Sequence, residues 1–105
     1  MSTTNDLDAF QDAAARTINP ALDDQQRLLD AAAGLAEEAG EALAHVRKHV
    51  MQARALDRDA LATELGDALW CLAVAARCID MPLSEVAARN AEKLRRRHPN
   101  GFEPR

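Results

Sequence analysis

A chain of 105 residues, 48% hydrophobic but only 3% aromatic, is long enough for one compact domain and too short for two. Alanine dominates the apolar fraction, and each buried alanine removes little surface from water, so the core of one copy is thin and association into at least a dimer is expected. The formal net charge of -4, with both signs mixed through most of the chain, argues against a general nucleic-acid-binding surface.

Glycine, proline and β-branched residues are scarce and good helix formers fill almost every segment, so helix is expected throughout and no strand has a candidate. The first helix begins after Asn5, a reasonable cap, and runs through Leu7, Phe10 and Ala14 until Asn19-Pro20 stops it. The second extends from about Asp24 to Ala53. It carries Leu28, Ala32, Leu35, Ala39, Leu43, Val46 and Val50 at alternating steps of four and three, one continuous face read as core.

A third helix, capped near Asp57 or Asp59, repeats the pattern with Leu61, Leu65, Leu69, Leu72, Ala76 and Ile79. Between Ala68 and Ala76 it is apolar all round, which calls for burial at the centre of the fold or at a subunit interface. Asp80, Met81 and Pro82 break the pattern, and Leu83-Ser84 offers a staple and cap for a fourth helix reaching about Arg97, ended by His98-Pro99-Asn100-Gly101. Four helices with short connections read as one all-α domain over residues 1–105, an antiparallel four-helix bundle.

Cys71 and Cys78 fall on the third helix about 10 Å apart along its axis, too far to bridge, and fit core packing in a reducing compartment. The apolar run Ala68–Ala76 is too short to cross a bilayer, and the opening residues lack a basic-then-apolar signal pattern. A cytoplasmic chain with no membrane partner is expected.

Glu38 and Glu41 lie one helical turn apart on one side, with Ala31 and Gly34 on the preceding turns and His45 on the next. Paired glutamates are common on solvated faces, so this pair alone decides nothing. Glu64 and Asp67 repeat the spacing on the next helix, immediately before its all-apolar stretch, where solvation is harder. Buried carboxylates must be neutralised, paired or bound to metal. Two antiparallel helices, each offering an i, i+3 acid pair, make a four-oxygen nest for a hard cation, Mg²⁺ or alternatively Mn²⁺, and the lack of histidine and cysteine ligands disfavours zinc.

Glu37 falls away from the core stripe and is either exposed or an outer base; His45 and His49 read as solvent-facing, with a hydrogen bond behind the acids as the alternative for His45. On the fourth helix Leu83, Ala87, Asn90 and Leu94 form the inward stripe. A polar Asn90 there needs a partner. With Lys93 and Arg97 further along the same side, it makes either a phosphate-facing edge or a satisfied core asparagine beside ordinary helix-end cations, among them Arg95 and Arg96.

The run Gly34-Leu35-Ala36-Glu37-Glu38-Ala39-Gly40-Glu41, followed by Glu64-Leu65-Gly66-Asp67-Ala68-Leu69-Trp70, resembles the MazG-type nucleotide pyrophosphohydrolases. The likeness extends to Phe10-Gln11 through Arg16-Thr17, to Asn90–Leu94 and to the ending Arg97-His98-Pro99-Asn100-Gly101-Phe102, as in short single-domain members. It implies an all-α NTP pyrophosphatase fold assembled as a homodimer or dimer of dimers, with Mg²⁺ on Glu38, Glu41, Glu64 and Asp67.

It further implies substrate-binding roles near the phosphates for Asn90, Lys93 and Arg97. Trp70 stands where it could pack near a base or simply be buried in the bundle. His98 departs from the family's frequent aromatic hydroxyl. The activity implied is hydrolysis of a nucleoside triphosphate to monophosphate and pyrophosphate, with Glu37 or Glu38 accepting the proton of the attacking water. Phosphoribosyl-ATP or a single deoxynucleotide are alternative substrates for the same acids. A non-catalytic nucleotide-binding or dimerisation module is the reading from another class, and four mutually repelling charges argue against it.

Overall fold

The computed structural model describes residues 6–104, which form α1 (Asp6–Ala15), α2 (Asp24–Gln52), α3 (Arg58–Cys78) and α4 (Leu83–Arg97). No strand occurs among the described residues, as the composition predicts. No helix among them is long and apolar enough to cross a membrane. Asn5, expected to cap α1, lies outside the described residues.

The boundaries of α2 and α3 follow from local hydrogen bonding. At the start of α2 the Asp23 carboxylate accepts the Gln26 N–H at 2.8 Å, while the Gln26 side chain accepts the Asp23 N–H at 3.0 Å, a reciprocal capping box. Ala53 ends the helix in left-handed backbone with its N–H on the Lys48 carbonyl. Asp57, one of the two expected caps of α3, accepts the Ala60 N–H at 3.0 Å.

The start of α4 differs from expectation. Pro82 holds the cap position with no side-chain cap bond, and Ser84 lies inside the first turn. The missing acceptor comes from α1, where Asp8 takes both the Ser84 N–H at 2.9 Å and the Ser84 hydroxyl at 2.7 Å. Gln11, only 5% exposed, completes the junction. Its Oε1 accepts the Leu83 N–H at 3.0 Å and its Nε2 donates to the carbonyls of Ala73 at 3.1 Å and Met81 at 3.0 Å. One buried amide thereby satisfies the turn between α3 and α4 and ties it to α1.

α3 is the central element, with α1, α2 and α4 packed on it; α4 also touches α1, whereas α2 packs on α3 alone. The buried cluster is made of Ala14, Ala31, Ala73, Val74, Ala76 and Leu83, with Leu7, Phe10, Leu69, Trp70 and Val86 among the partly buried side chains around it. No large side chain among the described residues is fully buried. Because α2 and α4 do not meet, one chain does not close a four-helix bundle. The Cα radius of gyration is 16.6 Å, against roughly 13 Å for a compact chain near this length.

Three inward stripes expected from periodicity are corrected. On α2, Leu35 of the expected stripe is half-buried, but Leu28, Ala32, Ala39, Leu43, Val46 and Val50 are exposed, with Leu43 54% and Val50 66%. The face that meets α3 runs instead through Arg27, Ala31, Gly34, Glu38, Ala42 and His45, all buried or half-buried. On α3, Ala76 is buried and Leu61 and Leu69 are half-buried, but Leu65, Leu72 and Ile79 are exposed. On α4 only Leu83 is buried, and every residue after Val86 is exposed, including Ala87, Asn90 and Leu94. On α2 and α3 the small side chains of Ala31, Gly34 and Ala73 let the two helices approach closely, and the larger apolar side chains Leu43, Val46, Leu65 and Leu72 stay exposed.

Candidate metal centre

The small-residue face of α2 brings its acids against α3. Carboxylate oxygens of Glu38, Glu41 and Glu64 all lie within 4.8 Å of one another. Glu38 and Glu64 are half-buried and Glu41 is exposed. One oxygen on each of Glu38 and Glu64, Oε2 in both, is buried with no hydrogen-bond partner. A buried orphan acceptor costs free energy, and two residues of one acidic group each carrying such an oxygen fit a site that holds a cation. The donor set is all oxygen, which suits a hard divalent ion.

The strain of that arrangement appears in the proton affinity of Glu64, whose pKa rises from 4.5 to about 8. The close approach of the Glu41 and then the Glu38 carboxylates, which favours a proton shared with Glu64, is the main cause, followed by burial and by the two negative charges. Between those two pH values the folded, metal-free chain binds more protons than the unfolded one. Its stability is therefore expected to fall as pH rises from 4.5 to about 8. Denaturant midpoints measured across that range in chelator should decline, and a divalent cation should flatten the decline because it displaces the proton. A pH-independent midpoint in chelator would contradict this.

The remaining residues singled out from the sequence are distributed as follows. Asp67 is exposed, one turn along α3 from Glu64, and outside the group of three. Glu37 is exposed on α2 and also outside it. Asn90, Lys93 and Arg97 stand on the exposed part of α4, which does not reach α2 within the chain. Trp70 is half-buried against the core, and its Nε1 donates to the Thr17 hydroxyl at 2.7 Å, which in turn donates to the Ala14 carbonyl at 2.7 Å. The contact ties α3 to the end of α1.

His49 is exposed, with Nδ1 2.7 Å from the Arg54 carbonyl oxygen, whereas His45 is half-buried on the α3-facing side of α2, not solvent-facing as its sequence context suggests. Cys71 and Cys78 are free thiols. Burial, followed by the charges of Glu38, Asp30, Asp67 and Glu37, pushes the Cys71 thiol above its ordinary range, consistent with a packing role. Periodicity alone did not reveal that Gly34 backs onto Cys71. A glycine inside an otherwise unbroken helix was the available signal.

The MazG nucleotide pyrophosphohydrolase domain matches residues 26–102, a span that holds nearly all of α2, all of α3 and α4, and every candidate site residue. A protein of Mycobacterium phage L5 named Gene 37 protein is 39% identical over 72 residues, covering 65% of this chain. The matched part spans 63% of the length of that relative. No solved structure matches. The acid motifs, the all-helical fold and a family match over most of the sequence lead to one assignment: the chain belongs to the MazG nucleotide pyrophosphohydrolase domain family.

Proposed function

We propose that this chain is a Mg²⁺-dependent nucleoside triphosphate pyrophosphohydrolase that cleaves between the α- and β-phosphates. The observation that carries the reading is the convergence of Glu38, Glu41 and Glu64 with two buried, unsatisfied carboxylate oxygens. These three, with Asp67 one turn away, are the residues to hold the ion. Magnesium, or manganese in its place, supplies charge neutralisation on the phosphate oxygens and activates water.

The chain's own groups do the rest. Water attacks the α-phosphorus, the α–β anhydride bond breaks, and its electron pair leaves with pyrophosphate. Glu37 or Glu38 takes the proton from the water; Glu37 is exposed and stands outside the acid group. Lys93 and Arg97 offset charge on the departing pyrophosphate, and Asn90 donates to a phosphate oxygen. Trp70 is assigned to the base end of the substrate, held by its bond to Thr17.

Since the outer part of α4 is exposed and α2 lacks a partner on its apolar stripe, the working unit in this proposal is a homodimer or dimer of dimers. Association covers the stripe and carries the α4 side chains to an acid group. The direct test is incubation with a panel of ribo- and deoxynucleoside triphosphates and Mg²⁺, with identification of the phosphate released. Pyrophosphate is the expected product. Orthophosphate, or no product from any member of the panel, would overturn the proposal.

A further inference from the structure

We infer that Gly34 and Cys71 form a spacer that sets the distance between α2 and α3, and through it the convergence of the acids; both are positioning residues for the metal site. The inference rests on the reading of the acid group as a divalent-cation site and adds what holds it open to the right width.

A methyl group at Gly34 would sit 2.9 Å from the Cys71 Sγ, well inside van der Waals contact. Elsewhere on these two helices, Gly40 and Gly66 would meet nothing within 4 Å. Gly34 is thus the helical glycine whose missing side chain is used. A glycine weakens a helix interior, and Gly34 lies in the middle of a helix with no turn or positive φ to require it.

The thiol it meets has little room to retreat. Cys71 is 6% exposed, and the next residues along the same interface, Ala31 and Val74, are 0% and 2% exposed. An added methyl must therefore push the helices apart by several tenths of an ångström. Gly34 faces Cys71, and two turns further toward the loop, in the same antiparallel register, Glu41 faces Glu64. That is about 10 Å along the axes, close enough for a local separation to reach the acids. Oxygen ligands of small divalent ions tolerate only tenths of an ångström in position.

The experiment measures Mn²⁺ affinity by calorimetry on the full chain for four forms. Wild type should bind. Gly34→Ala should raise the dissociation constant at least fivefold, and Gly34→Ala combined with Cys71→Ala should return it to within about twofold of wild type, since the second change removes the obstructing sulfur. Should Gly34→Ala fail to fold, Cys71→Val on the Gly34 background adds bulk from the other side and should weaken binding likewise. Unchanged Mn²⁺ affinity in Gly34→Ala or, where that variant does not fold, in Cys71→Val overturns the spacer, as does a double variant no better than the single. If wild type itself binds no Mn²⁺, the metal reading fails with it.

Discussion

Glu38→Gln and Glu64→Gln, made separately, are each expected to lower nucleotide turnover by roughly a hundredfold or more, since even outer-shell changes around a metal typically cost 10–100-fold. Glutamine keeps the size of the side chain and removes the charge that a cation needs. The same substitutions should leave the metal-free protein at least as stable as wild type above pH 7, because they relieve the crowding that raises Glu64 to about 8. That opposition separates a ligand from a structural residue: activity is lost while the denaturant midpoint in chelator holds or rises. Near-normal turnover at saturating Mg²⁺, or equal losses of activity and stability, would contradict the assignment.

Leu43→Glu carries the second large expectation. Leu43 is 54% exposed in the middle of the unpartnered stripe on α2, and a large apolar side chain buried by a second copy contributes roughly 1.5–3 kcal/mol. Replacing it with a charge loses that burial and adds a desolvation cost on each copy. Light scattering is expected to show wild type as a dimer or larger and the variant as a single chain. Thermal unfolding of wild type should depend on concentration, and that of the variant should not. A wild-type mass of one chain would end the homo-oligomer proposal. An unchanged multimeric mass in Leu43→Glu would contradict burial of this stripe and place the interface elsewhere.

The helices were legible because their signals are local. Asp57 and the Asp80–Pro82 break each act over three or four residues, and chain chemistry over that range needs no knowledge of the fold; the Asp23–Gln26 capping box is equally local but escapes the sequence reading. The direction of each helix face was not. Hydrophobic periodicity finds the most apolar stripe but cannot tell burial within a chain from burial between chains, so it reads Leu43 and Val46 as core where the structure exposes them.

At the site, the i, i+3 spacing of Glu38 and Glu41 and the placement of Glu64 before an apolar stretch pointed to convergence, and the structure brings these three together. Asp67 shares the spacing but stands outside the group, because a helical period fixes the turn on which a residue lies and not how far its side chain reaches. The dependence of α4 on Asp8 and Gln11 was out of reach for a different reason: those hydrogen bonds join residues more than seventy positions apart, and no local rule connects them. Ser84 looked like a cap and is in fact what Asp8 caps.

Anomalous scattering from a crystal grown with Mn²⁺ tests most directly the proposal that Glu38, Glu41 and Glu64, with Asp67 beside them, hold divalent metal. A manganese peak bounded by oxygens of Glu38, Glu41 and Glu64 is expected, absent from crystals of Glu64→Gln grown alongside. Fully occupied manganese at another site, with the three carboxylates bridged only by a shared proton, would contradict it.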